Sequence, residues 1–171
     1  MIKVDVSRET YEIRGIYIPF WLYDYQIGGT LEARATRVKS WTSGNTRYTK
    51  TDVYRCVRGG TMRFNKIPVD GSTRFNNDIM NSIEPFDYSK LVDFSHSYLS
   101  GFLAEKYDVD ATQANNEAMM RAKNSTDDVL KKDIKGYSTV VRTSSSHNIA
   151  QAMNEYVLLP VYMLNIKYNN K

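Results

Sequence analysis

Between Asp70 and Gly136 apolar residues recur every third or fourth position, whereas the stretches before and after are rich in Thr, Tyr, Val and Trp and tend to alternate. A chain whose period changes from 2 to about 3.6 and back fits neither a helical bundle nor a pure β-sandwich. The pattern predicts an α+β fold, with an antiparallel sheet contributed by both terminal thirds and covered on one face by helices from residues 74–135. At 171 residues, 42% of them hydrophobic, the chain is long enough for one core, so a single domain over residues 1–171 is expected.

In the first third, Ile16–Tyr25 (IYIPFWLYDY) is a dense apolar and aromatic run, and its Pro19 favours an edge position or a strand that begins at Phe20. Gly28-Gly29 reads as a bend or bulge. The segment TLEARATRVKSW, a Ser43-Gly44-Asn45 turn and RYTKTDVYRCV then read as a long hairpin, followed by a tight turn at Arg58-Gly59-Gly60. Pairing Trp41 with Tyr48 puts Arg37, Lys39, Trp41, Tyr48, Lys50, Asp52 and Tyr54 on one face, with Arg37 opposite Asp52. Val38, Val53 and Val57 fall on the other face among Thr and Arg.

Past Asp70, the spacing of Phe75, Ile79 and Ile83 predicts a short amphipathic helix that Pro85 stops. A further turn of helix starts at Asp87 or Ser89, and Tyr98, Leu99, Phe102 and Leu103 form another apolar stripe. Asp110 with Gln113 resembles a capping box. It opens a longer helix to about Lys135, with Ala111, Ala114, Ala118, Ala122, Val129 and Leu130 inward and Gly136 as its stop. Tyr137–Thr143 and Glu155–Tyr168 read as two strands around a Ser/Asn-rich connector.

Charge follows the same division. Residues 1–70 hold 12 basic and 7 acidic side chains, 71–135 hold 8 and 11, and 136–171 hold 3 and 1, so the flanks are positive and the middle negative within a net +4. The longest apolar run, Tyr156–Leu164 (YVLLPVYML), is too short to cross a bilayer as a helix. Cys56 is the only cysteine, so no intramolecular disulfide forms and a cytoplasmic location is the default expectation. One Cys with two distant His (His96, His147) gives no zinc-ligand spacing, and no cofactor motif is present. A metal site would have to be built from carboxylates.

Three constellations carry chemistry. In the hairpin, Arg34, Arg37, Lys39, Trp41, Arg47, Tyr48 and Lys50 interleave cations with aromatic rings, as a surface that tracks phosphates and stacks bases would. Exposed hairpins also carry Lys and Arg to blunt their edges, and a Trp–Tyr pair is ordinary sheet stabilisation. Asp70, Asp78, Glu84, Asp87 and Asp93 could serve a hard cation or a general acid–base pair, although Asp70 and Asp87 sit where turn and N-cap residues belong. Ser144-Ser145-Ser146-His147 sets hydroxyls beside an imidazole without a G-x-S-x-G elbow and is read as a connector. Cys56 is expected as an inert buried thiol, His96 as a cap or surface residue, and Met119-Met120 as core.

The stretches IPFWLYDY, ARATRVKSWTSG, IPVDGSTRFNNDIMNSIEPFDYSKLVDFSHSYLSGFLAEKYDVD and YVLLPVYMLNIKY resemble an uncharacterised family of bacterial proteins. Its members carry an N-terminal zinc ribbon of the transcription-factor-IIB type and are often labelled as relatives of the replication-restart helicase, primosomal protein N-prime. The resemblance runs from Ile18 to Tyr168, and IEPFDYSKL and YLSGFLAEKYDVD are its most specific blocks. It implies that this chain is the domain that follows the ribbon, in a full-length protein with a possible membrane link. No Cys-x-x-Cys is present to carry the zinc site, and no phosphate loop to carry helicase chemistry.

Two functional expectations result. The first is a non-catalytic binding module whose partner is nucleic acid, held by the basic-aromatic hairpin, or another protein. The alternative is a hydrolase-like enzyme using the carboxylates of residues 70–93.

Overall fold

The computed structural model describes residues 10–75, 80 and 86–167. The class is α+β. Three long strands dominate: β1 (Thr10–Ser43), β2 (Thr46–Asp70) and β4 (Thr139–Lys167). Also described are a two-residue β3 (Leu103–Ala104), a long helix, α1 (Ala111–Lys132), and 3-10 turns at Tyr88–Lys90 and His96–Leu99. β1 pairs with each of the other strands; β3 lies parallel to it, with Ile16 beside Leu103 and Tyr17 beside Ala104. The sheet is therefore mixed rather than wholly antiparallel.

The chain forms two compact units, and β1, β2, α1 and β4 each contribute residues to both. The first unit gathers the stretch ending at Leu22, Pro68–Ala114 and the stretch beginning at Glu155. Its core joins Ile16, Ile18 and Phe20 of β1 to Met80 and Leu159, with Phe75, Phe86 and Tyr88 packed against them. Pro19 is buried, not placed at an exposed edge: its carbonyl accepts from Gly71 N at 2.8 Å. A Cβ on Gly71 would lie 3.0 Å from that oxygen, so any side chain there would press on Pro19. Trp21, Tyr107 and Tyr156 pack ring against ring at 4.9–5.8 Å, and Trp21 Nε1 donates to Val109 O.

The second unit comprises Tyr23–Ile67 and Asn115–Asn154. One face of β1 here buries Tyr25, Ile27, Leu31, Ala33 and Ala35, while Gln26, Thr30 and Arg34 are exposed between them. On the covered side Leu31, Ala33, Ala35 and Cys56 pack with Leu130 and Ile134. Helix α1 presents Ala114, Ala118 and Ala122 inward as the spacing predicts. Its start is the expected capping box: Asp110 Oδ1 accepts from Gln113 N at 2.8 Å, and Asp110 N donates to Gln113 Oε1. Val129 departs from the expectation, being 52% exposed, because the buried stripe continues through Thr126 and Leu130.

Several predicted breaks are absent. β1 runs through Gly28-Gly29, and β2 runs through Arg58-Gly59-Gly60 without a turn. Residues 144–154, read as a connector, lie inside β4. Tyr98 and Leu103 are exposed and belong to a 3-10 turn and to β3 instead of lining a helix. The predicted Phe75–Ile83 helix falls largely outside the described residues, as do Asp78 and Glu84.

Two real irregularities sit elsewhere. On β1 the buried positions change from even to odd numbers between Leu22 and Tyr23. On β2, Lys66 adopts φ +55°, and its N–H donates to Asp24 Oδ1 at 2.6 Å. A left-handed non-glycine residue within a strand is the geometry of a β-bulge, and a one-residue slip of this kind exchanges the faces of a strand.

Candidate functional site

The hairpin between β1 and β2 reverses at Gly44 (φ +58°) and Asn45, and every residue from Arg37 to Thr51 is exposed. Trp41 and Tyr48 stack with ring centroids 5.6 Å apart and planes 14° from parallel, and they remain 50% and 45% exposed. Ser40 and Thr49 hydroxyls meet at 3.2 Å. Alternation therefore places Arg37, Lys39, Trp41, Tyr48 and Lys50 on one face and Arg34 and Arg47 on the other. The seven residues form two surfaces of one ribbon.

Arg37 stands across the ribbon from Asp52 in the register of the Trp41–Tyr48 and Ser40–Thr49 pairs, but its side chain is engaged elsewhere. Its guanidinium lies over the rings of Tyr54 and Tyr137, at 5.7 and 5.4 Å, and Nε donates to Gly136 O. Asp52 pairs with Lys50 at 3.2 Å. The Tyr137 hydroxyl is pushed above its ordinary range, first by its hydrogen bond with Cys56, so the buried thiol has a phenol neighbour. On the opposite face Arg55 pairs with Glu32 at 2.5 Å, leaving Arg34 and Arg47 as cations of an open ribbon face.

The carboxylates of residues 70–93 act locally where they are described. Asp70 Oδ1 accepts from Ser72 N, and Asp87 caps the Tyr88–Lys90 turn through Ser89 N. The Ser89 hydroxyl and the Lys90 ammonium hold the Asp87 carboxyl below its usual range. Asp93 is exposed, and His96 lies beside the Phe94 ring on the surface. Among the described residues no three His, Cys, Asp or Glu side chains converge as metal ligands would.

One constellation escaped the sequence reading. Asp127 of α1 is only 4% exposed; its Oδ1 accepts from His147 Nε2 at 2.9 Å, and its Oδ2 accepts from Ser145 Oγ at 3.0 Å and from Arg142 Nη1. Arg142 and Ser145 reach the same carboxylate from positions three apart along β4. A buried carboxylate oriented against an imidazole is half of a triad, but the Ser145 hydroxyl is bound to the acid and not to the imidazole. The arrangement ties β4 to α1. The sequence carried only a partial signal: Thr126 continues the Ala114–Ala118–Ala122 stripe and Asp127 adjoins it, but nothing local joins Asp127 to residues of β4.

Among known proteins, the chain is similar to the uncharacterised protein YdjG of Bacillus subtilis (strain 168), with 33% identity over 157 residues. That alignment covers 91% of this chain and 46% of YdjG, so the chain spans less than half the length of its curated relative. No family model matches the chain, and no solved structure matches it. No helix among the described residues is long and apolar enough to cross a membrane.

Proposed function

We propose that this chain is a non-catalytic binding module that holds single-stranded nucleic acid on its β1–β2 hairpin, in the cytoplasm, as the domain behind a zinc ribbon. The observation that carries the reading is the half-exposed Trp41–Tyr48 stack with Lys39 and Lys50 on the same face. A base can lie on the outer face of either ring while the ammonium groups meet the flanking phosphates. Asp70 and Asp87 being engaged as turn and cap residues argues against the hydrolase alternative.

The test is titration of the intact chain with a single-stranded oligonucleotide across salt concentrations, followed by tryptophan fluorescence. Trp21 donates its indole N–H to Val109, so quenching on binding reports Trp41. With about three neutralised phosphates, log K against log salt should fall with a slope of roughly −2. Trp41→Ala should weaken binding by about 1–3 kcal/mol. Absence of salt-sensitive binding at low salt would overturn the proposal in favour of protein docking.

A further inference from the structure

In the second unit β1 lies between β2 and β4, so each of these two keeps one row of backbone N–H and C=O groups with no strand beside it among the described residues. Such an edge is a template for another strand, and proteins blunt it with Lys or Arg, with bulges and with proline. β2 carries all three devices. Arg47, Lys50, Arg55, Arg58, Arg63 and Lys66 run along it, Lys66 is left-handed, and Pro68 stands near its end.

The part of β4 in this unit, Thr139–Asn154, is guarded far less. It is about 50 Å of strand without proline, and its one Lys or Arg is Arg142, whose guanidinium is bound to Asp127 of α1. Ser145 and His147 turn to the same carboxylate. The inner side of the strand is occupied by β1: the Thr139 and Thr36 hydroxyls meet, and Thr143 Oγ1 donates to Glu32 O at 3.1 Å. No residue from Thr139 to Ala150 is buried, so nothing described covers the outer side.

Charge decides what can pair there. Thr143–Asn154 contains no Lys, Arg, Asp or Glu, and it is bounded by Arg142 before and Glu155 after. Antiparallel pairing of this run with its own copy, about a twofold axis normal to the sheet, sets uncharged residues against uncharged residues and brings the basic end of one copy toward the acidic end of the other. Parallel pairing would set like ends together. β2 paired with itself would gather the cations of both copies along one seam, which like-charge repulsion opposes.

We propose that the β4 edge between Thr139 and Asn154 pairs antiparallel with the same edge of a second copy, so that the chain is a twofold dimer with one sheet continuous across both subunits. The proposal is independent of the nucleic-acid reading, because the seam uses neither β2 nor the tip of the hairpin.

Sedimentation equilibrium of the intact chain over a concentration series tests it, and the mass should rise to that of a dimer. Ser146 and Asn148 are exposed near the middle of the seam. Ser146→Lys combined with Asn148→Lys should weaken dimerisation by about tenfold or more, as should Ser146→Asp combined with Asn148→Asp. An equimolar mixture of the two variants should recover a dimer of one copy each, with far-UV circular dichroism showing that both are folded. Cysteines introduced singly at Ser146, Asn148 and Ala150 locate the axis: the position nearest to it should form an intermolecular disulfide fastest, while the original chain, with Cys56 buried, should form none. A chain that stays monomeric at every concentration would overturn the proposal and assign the edge to an extended segment of another protein. A dimer indifferent to both charged pairs, or folded variants that do not associate on mixing, would also overturn it.

Discussion

Asp127 gathers three donors on two oxygens in a nearly closed site, and removing the carboxylate would leave a histidine and an arginine facing an unoccupied acceptor position. Loss of a partner in a buried polar network costs about 1–3 kcal/mol, and the half-exposed Arg142 can recover water, so Asp127→Ala should lower unfolding free energy by about 2 kcal/mol in urea titration. A loss below about 0.5 kcal/mol would show that the cluster holds nothing in place. Asp108 gives a pH test at the same scale. Thr73, through its hydroxyl and its backbone N–H, holds the Asp108 carboxyl below its usual range. A depressed folded pKa contributes stability that is present above the unfolded carboxylate value and lost as pH falls through the folded one. Asp108→Asn should therefore flatten the dependence of stability on pH below about pH 4 and leave its shape near neutrality unchanged. At the other extreme, burial raises the Tyr25 hydroxyl to about 12, where it donates to Asn115 Oδ1 at 2.7 Å. That contribution is complete below pH 10 and disappears as pH rises through 12. The Asp110–Gln113 cap was legible because its partners are three residues apart; the Asp127–His147 pair was not, because a helix and a strand had to meet before the partners were neighbours.

At the level of elements, the strands are longer than the sequence reading allowed, and glycine is the reason. Paired glycines are ordinarily turn signals, yet Gly29 lies in an extended strand and makes room for Thr126. Gly29→Ala should push a methyl group into that contact and destabilise the protein by about 1–3 kcal/mol, measured by denaturant unfolding. A neutral effect would mean that α1 can shift away from β1 without loss. The Ser144–Asn148 run misled for a related reason: small polar residues read as a loop, but here they lie within strand β4, and alternate side chains, Ser145 and His147, turn to Asp127. Where local composition and tertiary contact agreed, as in the alanine face of α1 and the Gly44 turn, the element was readable from sequence.

On the scale of the whole molecule, burial is unevenly distributed along the strands. From Ile16 to Ala35 β1 has a continuous series of buried positions, whereas from Arg37 to Thr51 the hairpin exposes both faces. Backbone hydrogen bonds without apolar cover open by local fluctuation, and those beneath a packed helix open only with the surrounding structure. Amide exchange should therefore be slowest in the β1 residues 18–35 and in α1 around Ala118 and Ala122, and faster by orders of magnitude across the hairpin between Arg37 and Asp52. Addition of a single-stranded oligonucleotide should slow exchange in the hairpin, since a ligand bound only to the folded ribbon penalises its opening. Uniform protection along β1 would contradict the assignment of the hairpin as a locally opening element. Protection gained anywhere but the hairpin and the adjoining open sheet face would show that the basic and aromatic side chains there are solubilising surface and not a binding site.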